Sequence, residues 1–169
     1  ERILGTEFSC DLVVYRGAGS YVCGEASGLL ESLEGKRGYP RNRPPRLTVK
    51  GLFQMPTVVN NVETLTNVTA ILALGAEAFK KVGTPKSPGT QLVSISGHIA
   101  RPGVYEVEHG YPLKKFLFED CGGMMPGATL KCIIPGGIST KVLTAAEIEP
   151  VTYDHASFNA AGSSLGSGG

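Results

Sequence analysis

The chain has 169 residues, 41% of them apolar, with 16 basic and 15 acidic side chains and a formal net charge of +1. That length supports one domain or two small ones, and the apolar fraction excludes a disordered chain. The near-neutral balance argues against nucleic acid as a partner. No apolar run reaches the roughly 18 residues that a bilayer span needs, so no membrane insertion is expected.

In chain order, residues 11–15, Asp-Leu-Val-Val-Tyr, read as a short buried strand. A glycine-dense turn follows, Arg16-Gly-Ala-Gly-Ser-Tyr-Val-Cys-Gly-Glu25. It leads into a helix over 25–34, with Leu29, Leu30 and Leu33 at helical spacing and Gly35 at its end. Lys36 to Arg46 is a basic loop with three prolines, held extended by Pro44 and Pro45. A loop of this kind inside a compact domain points to function or to an interface. Pro56–Val59 reads as another short strand. A second helix then runs from Asn60 to about residue 74, opened by a capping box in which Asn60 and Glu63 satisfy each other's backbone amides. A further short helix fits residues 75–81, and the turn-rich stretch 83–89 is the expected domain boundary.

The second half alternates like strand over 91–96 and again over 103–108, joined by a short turn. Residues 112–120 form a helix with proline in its first turn, and 130–134 a returning strand. This pattern predicts an α/β (α+β) chain whose second part is a small β-grasp-like sheet with one helix on a face. Val93, Ile95, Val104, Leu113, Phe116 and Ile133 would share its core. Past Ile148 the chain reads as loop or weak helix, ending either as a flexible tail or as the lead into another element.

The four cysteines, Cys10, Cys23, Cys121 and Cys132, include no C-x-x-C pair, so no metal site is expected and buried reduced thiols are favoured over disulfides. His98 and His109 receive no ligand role. The turn fails the dinucleotide fingerprint, since Val22 stands where the third glycine belongs, and no Gly-Lys-Ser/Thr follows for a phosphate loop. Gly17 and Gly19 still allow close backbone approach, and Gly24 lies at a helix start whose free N–H groups favour negative charge. The residues alone leave two readings open: a nucleotide or flavin site, and a purely structural turn.

The segments RGAGSYVCGE, LLESLEGKRGYPR, PTVVNNVETLTNV, SISGHIARPGVYEV and IIPGG resemble, in order and spacing, the FMN-carrying NADH-oxidising flavoprotein subunit of respiratory complex I and of related NAD-linked hydrogenases and formate dehydrogenases. The resemblance covers nearly the whole chain. It implies that residues 1–85 are the C-terminal part of an FMN/NADH-binding domain, 86–142 an SLBB β-grasp domain, and 143–169 a linker toward an iron–sulfur domain outside the chain. It also implies that the glycine-rich flavin-phosphate loop lies upstream and the ligands of a 4Fe-4S cluster downstream, so the chain is expected to be an internal piece of a longer protein.

Carried over residue by residue, Gly24 and Glu25 would lie beside the flavin ring, and Val59, Asn60 and Asn61 would help to hold FMN. Arg43 would meet a phosphate of NADH. Two positions depart from the pattern. Ala26 replaces a second glutamate near the nicotinamide, and Arg46 replaces an aromatic residue that would stack the adenine; its guanidinium can itself stack on a base, so Arg46 stays with Arg43 among the residues expected to bind NADH. The implied reaction is hydride transfer from NADH to FMN, followed by single-electron transfer to iron–sulfur clusters. None of this chain's residues is assigned a catalytic role. The alternative is an electron-transfer or scaffold subunit with lost or altered NADH binding, its SLBB domain an interaction module. The implied partners are other subunits of a membrane-associated complex, notably a thioredoxin-like 2Fe-2S subunit, with the protein in that complex's cytoplasmic peripheral arm.

Overall fold

A computed structural model describes residues 2–17 and 19–166. The chain divides into two compact units, Glu1–Asn61 and Val62–Gly169.

The first unit is built around one helix, α1 (Ala26–Leu33), preceded by a 3-10 turn over Tyr21–Gly24 and followed by a long loop with a second 3-10 turn at Leu52–Gln54. Leu30 of α1 is buried, with Leu29 and Leu33 half-buried beside it. The strands expected at 11–15 and 56–59 are not formed. A strand needs a neighbour to receive its backbone hydrogen bonds, and residues 11–15 find none among the described residues. Leu12, Val13 and Val14 are accordingly exposed. The basic loop bends at 43–45 instead of running extended.

In the second unit, α2 (Val62–Leu74) and the short α3 (Ala76–Phe79) precede an antiparallel hairpin of β1 (Thr90–Ile95) and β2 (Gly103–Glu108), registered with Val93 opposite Tyr105. Because α2 starts at Val62, Asn61 takes the flanking position expected for Asn60. The Glu63 carboxylate accepts a hydrogen bond from the Leu92 amide at 2.9 Å, closing part of the free edge of β1. The helix α4 (Leu113–Lys115) continues as a π-type turn over Phe116–Asp120, in which the Cys121 amide reaches back to the Phe116 carbonyl at 2.9 Å. Two further short strands, β3 (Cys132–Ile133) and β4 (Leu143–Thr144), pair with each other, so the returning strand does not join the hairpin. A last helix, α5 (His155–Ala160), follows, capped by the Asp154 side chain on the Ser157 amide.

One core serves this unit. Val93, Val107, Leu113, Phe116, Leu117 and Cys121 are buried in it, with Ile95 and Ile133 packed at its edge. Val104 is 66% exposed, contrary to expectation. Tyr105 and Val107 point inward from β2, and side chains alternate along a strand, so Val104 falls on the outer face.

The residues expected to form a linker after 142 are part of the same core. Leu143, Ile148, Val151, Tyr153, Phe158 and Leu165 make up six of its thirteen buried members. Backbone hydrogen bonds tie them in, from Leu113 N to Val151 O at 3.0 Å and from Tyr153 N to Tyr111 O at 2.7 Å. An edge-to-face series of Tyr105, Phe116, Tyr153 and Phe158, with centroids 5.4, 6.1 and 5.7 Å apart, links the hairpin, the helix and this segment. Of the ending expected as a tail, Ser163 and Leu165 are buried, and residues 167–169 lie outside the described residues. All four cysteines are free thiols, but only Cys121 is buried; Cys10 and Cys132 are exposed and Cys23 is half-buried. Surface thiols are tolerated where no partner sulfur lies in reach.

A polypeptide of residues 88–166 is therefore expected to melt cooperatively, whereas one ending at 142 is not. Within the longer one, Phe158→Ala should cost about 3–4 kcal/mol, because a fully buried ring leaves a cavity. Thermal denaturation followed by near-UV circular dichroism checks both, and a cooperative melt of 88–142 would refute the single core.

Candidate functional site

The chemistry-bearing residues of the first unit gather around the start of α1. Glu25 is its N-cap: its carboxylate accepts from the Gly28 amide at 2.8 Å and from the Ser27 hydroxyl. The Ser27 hydroxyl bond, with the Gly28 amide, holds the Glu25 carboxyl below the usual carboxylate range against the opposing effect of burial. The helix approaches the turn so closely that a Cβ on Gly28 would lie 2.8 Å from the Val22 carbonyl oxygen, so glycine is required there by packing.

The buried Ser27 oxygen also accepts from the backbone amide of Arg41 at 2.8 Å, and this brings in the basic loop. The Arg41 guanidinium is only 17% exposed, so it does not lie in a solvated loop. Its Nε meets Glu31 at 2.5 Å, its Nη2 meets Glu34 at 2.8 Å and its Nη1 donates to the Gly51 carbonyl at 2.7 Å. Glu34 also accepts from Lys36 Nζ and from the Phe53 amide, both at 2.8 Å. Lys36, Arg41 and the Phe53 amide together pull the Glu34 carboxyl down to about 2. Phe53 and Gln54 adopt φ of 48° and 65°, a region costly for residues with side chains, and the grip of Glu34 on the Phe53 amide helps to hold that turn. Sequence reasoning missed this network. Its trace was the pair Glu31 and Glu34, one helical turn apart, facing a loop rich in cations.

Of the residues expected at the site, Arg43 and Glu25 are brought together, with Arg43 Nη2 3.0 Å from Glu25 Oε1. Arg46 is exposed and makes no ion pair among the described residues. Gly24 is exposed, Ala26 and Val59 are half-buried, and Asn60 and Asn61 are exposed just before α2. Asn60 has no hydrogen-bond partner among the described residues. Ala18, in the glycine turn, lies outside the described residues.

The glycines of the turn divide by cause. Gly19 has φ of +71°, which only glycine adopts readily. Gly17 and Gly24 have no such φ, and a Cβ on either would meet nothing within 4 Å. A hollow of ≈ 410 Å³ in this unit lies among Val22, Cys23, Ser32, Lys36, Arg37 and Tyr39, and includes none of the residues expected to bind cofactor.

Known proteins resemble this chain in sequence and fold. Residues 2–70 match the Nuo51 FMN-binding domain family, and residues 92–138 match the SLBB domain family. The class is thus an FMN-binding domain followed by an SLBB domain. Over 167 residues the chain is 47% identical to the F 2 subunit of NADH-quinone oxidoreductase from Rhizobium meliloti (strain 1021), covering 99% of this chain and 39% of that protein. Over 166 residues it is 49% identical to the F subunit of NADH-quinone oxidoreductase from Streptomyces coelicolor, covering 98% of this chain and 36% of that protein. Among solved structures, a chain of an NAD+-reducing [NiFe]-hydrogenase in the H2-reduced state superposes with a TM-score of 0.76 at 38% identity, covering 90% of this chain and 25% of that one. Residues 2–70 thus carry the likeness to Nuo51 FMN-binding domains and residues 92–138 the likeness to SLBB domains, within a chain 47% and 49% identical to these two F subunits over almost its whole length. The chain spans less than two thirds of the length of these relatives.

The Phe53 amide is an internal reporter of the Arg41 network. Because the folded-state pKa of Glu34 lies below its ordinary 4.5, the stability it contributes is complete above about pH 4.5 and is lost as the pH falls through about 2. The Phe53 amide proton resonance should therefore titrate with a midpoint near 2. A midpoint near 4.5 would show that Glu34 is not held by Lys36 and Arg41.

Proposed function

We propose that this chain is the flavin-facing and SLBB part of an NADH dehydrogenase flavoprotein subunit, in which NADH gives a hydride to FMN and electrons leave singly to iron–sulfur clusters. The observation that carries this reading is Gly24. Neither its backbone conformation nor its neighbours within the chain call for glycine, yet it stands, exposed, at the mouth of α1 in a segment of the FMN-binding family. A bare backbone with no side chain over it lets a flat ring approach closely.

The residues present fit such a group in part. The Gly24 backbone and the unpartnered Asn60 amide offer donors and an acceptor to FMN, with Val59 and Asn61 alongside. The Glu25 carboxylate is committed to capping α1, so its role is to fix the turn rather than to contact the flavin through a free side chain. Bound FMN would supply the acceptor for a hydride and the means to release electrons one at a time. Arg43 would offer its guanidinium to a dinucleotide phosphate. Its pair with Glu25 is half-exposed and screened by solvent, worth about 0–1 kcal/mol, so a phosphate competes for it at little cost.

The rest of the reading follows the relatives. The 4Fe-4S ligands and the remainder of the flavin site would lie in parts of the longer protein outside this chain, so the isolated 169 residues are expected neither to retain FMN nor to oxidise NADH. Residues 1–85 would belong to the FMN/NADH-binding domain and 86–142 to the SLBB domain, with residues 143–165 packed into the core of that second part before the chain leads on to the iron–sulfur domain. The partners would be other subunits of the complex, including a thioredoxin-like 2Fe-2S subunit, in a peripheral arm on the cytoplasmic side of the membrane. No helix among the described residues is long and apolar enough to cross a membrane.

Gly24→Ala in the full-length protein tests the reading. It is expected to weaken FMN binding by at least about tenfold while leaving the melting temperature of the flavin-stripped protein unchanged. Flavin fluorescence titration and calorimetry measure the two. Unchanged flavin affinity would remove the argument. A flavin-loaded parent that oxidises no nicotinamide dinucleotide would favour the scaffold alternative, which the departures at Ala26 and Arg46 motivate.

A further inference from the structure

We infer that Arg46 is the receptor for an additional phosphomonoester on the adenosine of the dinucleotide, so that this site takes the 2′-phosphorylated form, NADPH, in preference to NADH. This rests on the proposal that the loop bearing Arg43 and Arg46 receives a nicotinamide dinucleotide, and it replaces NADH by its 2′-phosphorylated form as the preferred hydride donor of that reading.

The argument starts from charge. Residues 36–50 carry six cations, Lys36, Arg37, Arg41, Arg43, Arg46 and Lys50, and no acid. The structure accounts for most of the loop's arginines. Arg41 is spent on Glu31, Glu34 and the Gly51 carbonyl. Arg43 is paired with Glu25. Arg37 lies over the Tyr39 ring, 5.1 Å from its centroid. Arg46 is left exposed, with no acid, carbonyl or ring engaged by its guanidinium among the described residues.

Its backbone, by contrast, is fixed. The Arg46 carbonyl accepts from the amides of Val49 and Lys50 at 2.9 and 3.0 Å, and the next carbonyl, of Leu47, accepts from Thr57 N at 3.0 Å. The Gly51 carbonyl is held by Arg41. Arg46 is therefore an unspent guanidinium on an anchored turn, three residues from the arginine assigned to a dinucleotide phosphate. An anchored turn loses little freedom when its side chain binds.

The chemistry selects the ligand class. A phosphomonoester carries a charge of about −1.5 to −2 at neutral pH, and a guanidinium fork meets its oxygens with two parallel hydrogen bonds. An adenosine ribose without that phosphate presents Arg46 with two hydroxyls and no charge. In Rossmann-type sites, too, an arginine near the ribose accommodates the 2′-phosphate.

The experiment uses the full-length flavoprotein in its complex, with two readouts. Calorimetric binding compares adenosine 2′,5′-bisphosphate with adenosine 5′-phosphate. Steady-state kinetics with an artificial electron acceptor compares kcat/KM for NADPH and NADH. The expectation is a preference for the 2′-phosphorylated ligand in both, falling at least about tenfold in Arg46→Phe and partly retained in Arg46→Lys. Lys50→Gln, which removes a nearby charge of the same loop, should leave the preference within about twofold. Oxidation of NADH without NADPH, or a preference untouched by Arg46→Phe, overturns the inference and leaves the dinucleotide reading standing. An equal loss in Lys50→Gln overturns it as well, since the effect would then belong to the loop's overall charge. Failure to oxidise either nucleotide overturns both.

Discussion

The guanidinium of Arg41 is the joint on which the first unit depends. A loop with six cations and no acid would be expected to stand off in solvent, yet this one lies against α1, because Glu31 and Glu34 present two carboxylates on the helix face where Arg41 arrives. The same fork reaches the Gly51 carbonyl, and Glu34 passes the constraint on to the Phe53 amide. One side chain thus fixes the loop at both ends. With the loop fixed, Arg43 meets the Glu25 cap, and Arg46 sits on a turn that has nowhere else to go. A charge this well enclosed is held by geometry that lysine would not reproduce, since the three contacts use three different guanidinium nitrogens.

Much of the second unit is legible in its sequence. The strand at 103–108 has the bounds its alternation predicts, and that at 91–96 differs from Thr90–Ile95 by one residue, because both alternate between turn residues. Which face of β2 is buried is less clear. Val104 and Val107 are three apart and so stand on opposite sides of a strand; the aromatic series through Tyr105 decides for Val107. The stretch after 148 reads as loop because Val151, Tyr153, Phe158 and Leu165 follow no period. Val151 and Tyr153 pair with residues 110–113, some forty positions earlier, and Phe158 and Leu165 are buried in the same core; no local pattern carries that.

The first unit is harder to read for the same reason. Residues 11–15 and 56–59 have strand composition, but a strand is a property of a pair, and neither forms a ladder with another segment among the described residues; the Thr57 amide makes a single backbone bond, to the Leu47 carbonyl. The residues expected around the flavin come from resemblance. What the structure adds is a distinction the sequence hides. Arg41, Arg43 and Arg46 read alike in a basic loop, and only the fold shows one buried, one paired and one unspent. The glycines read alike as well. Gly28 is demanded by the Val22 carbonyl and Gly19 by its φ, whereas Gly17 and Gly24 are demanded by nothing among the described residues. That remainder is where a ligand has room.

The central claim is that the open backbone at the start of α1 is a flavin surface. A structure of the full-length protein with FMN bound tests it most directly. The account predicts the isoalloxazine against the bare face of Gly24, with Arg41 still joined to Glu31 and Glu34. Polypeptide packed over Gly24, with the flavin elsewhere, would contradict it.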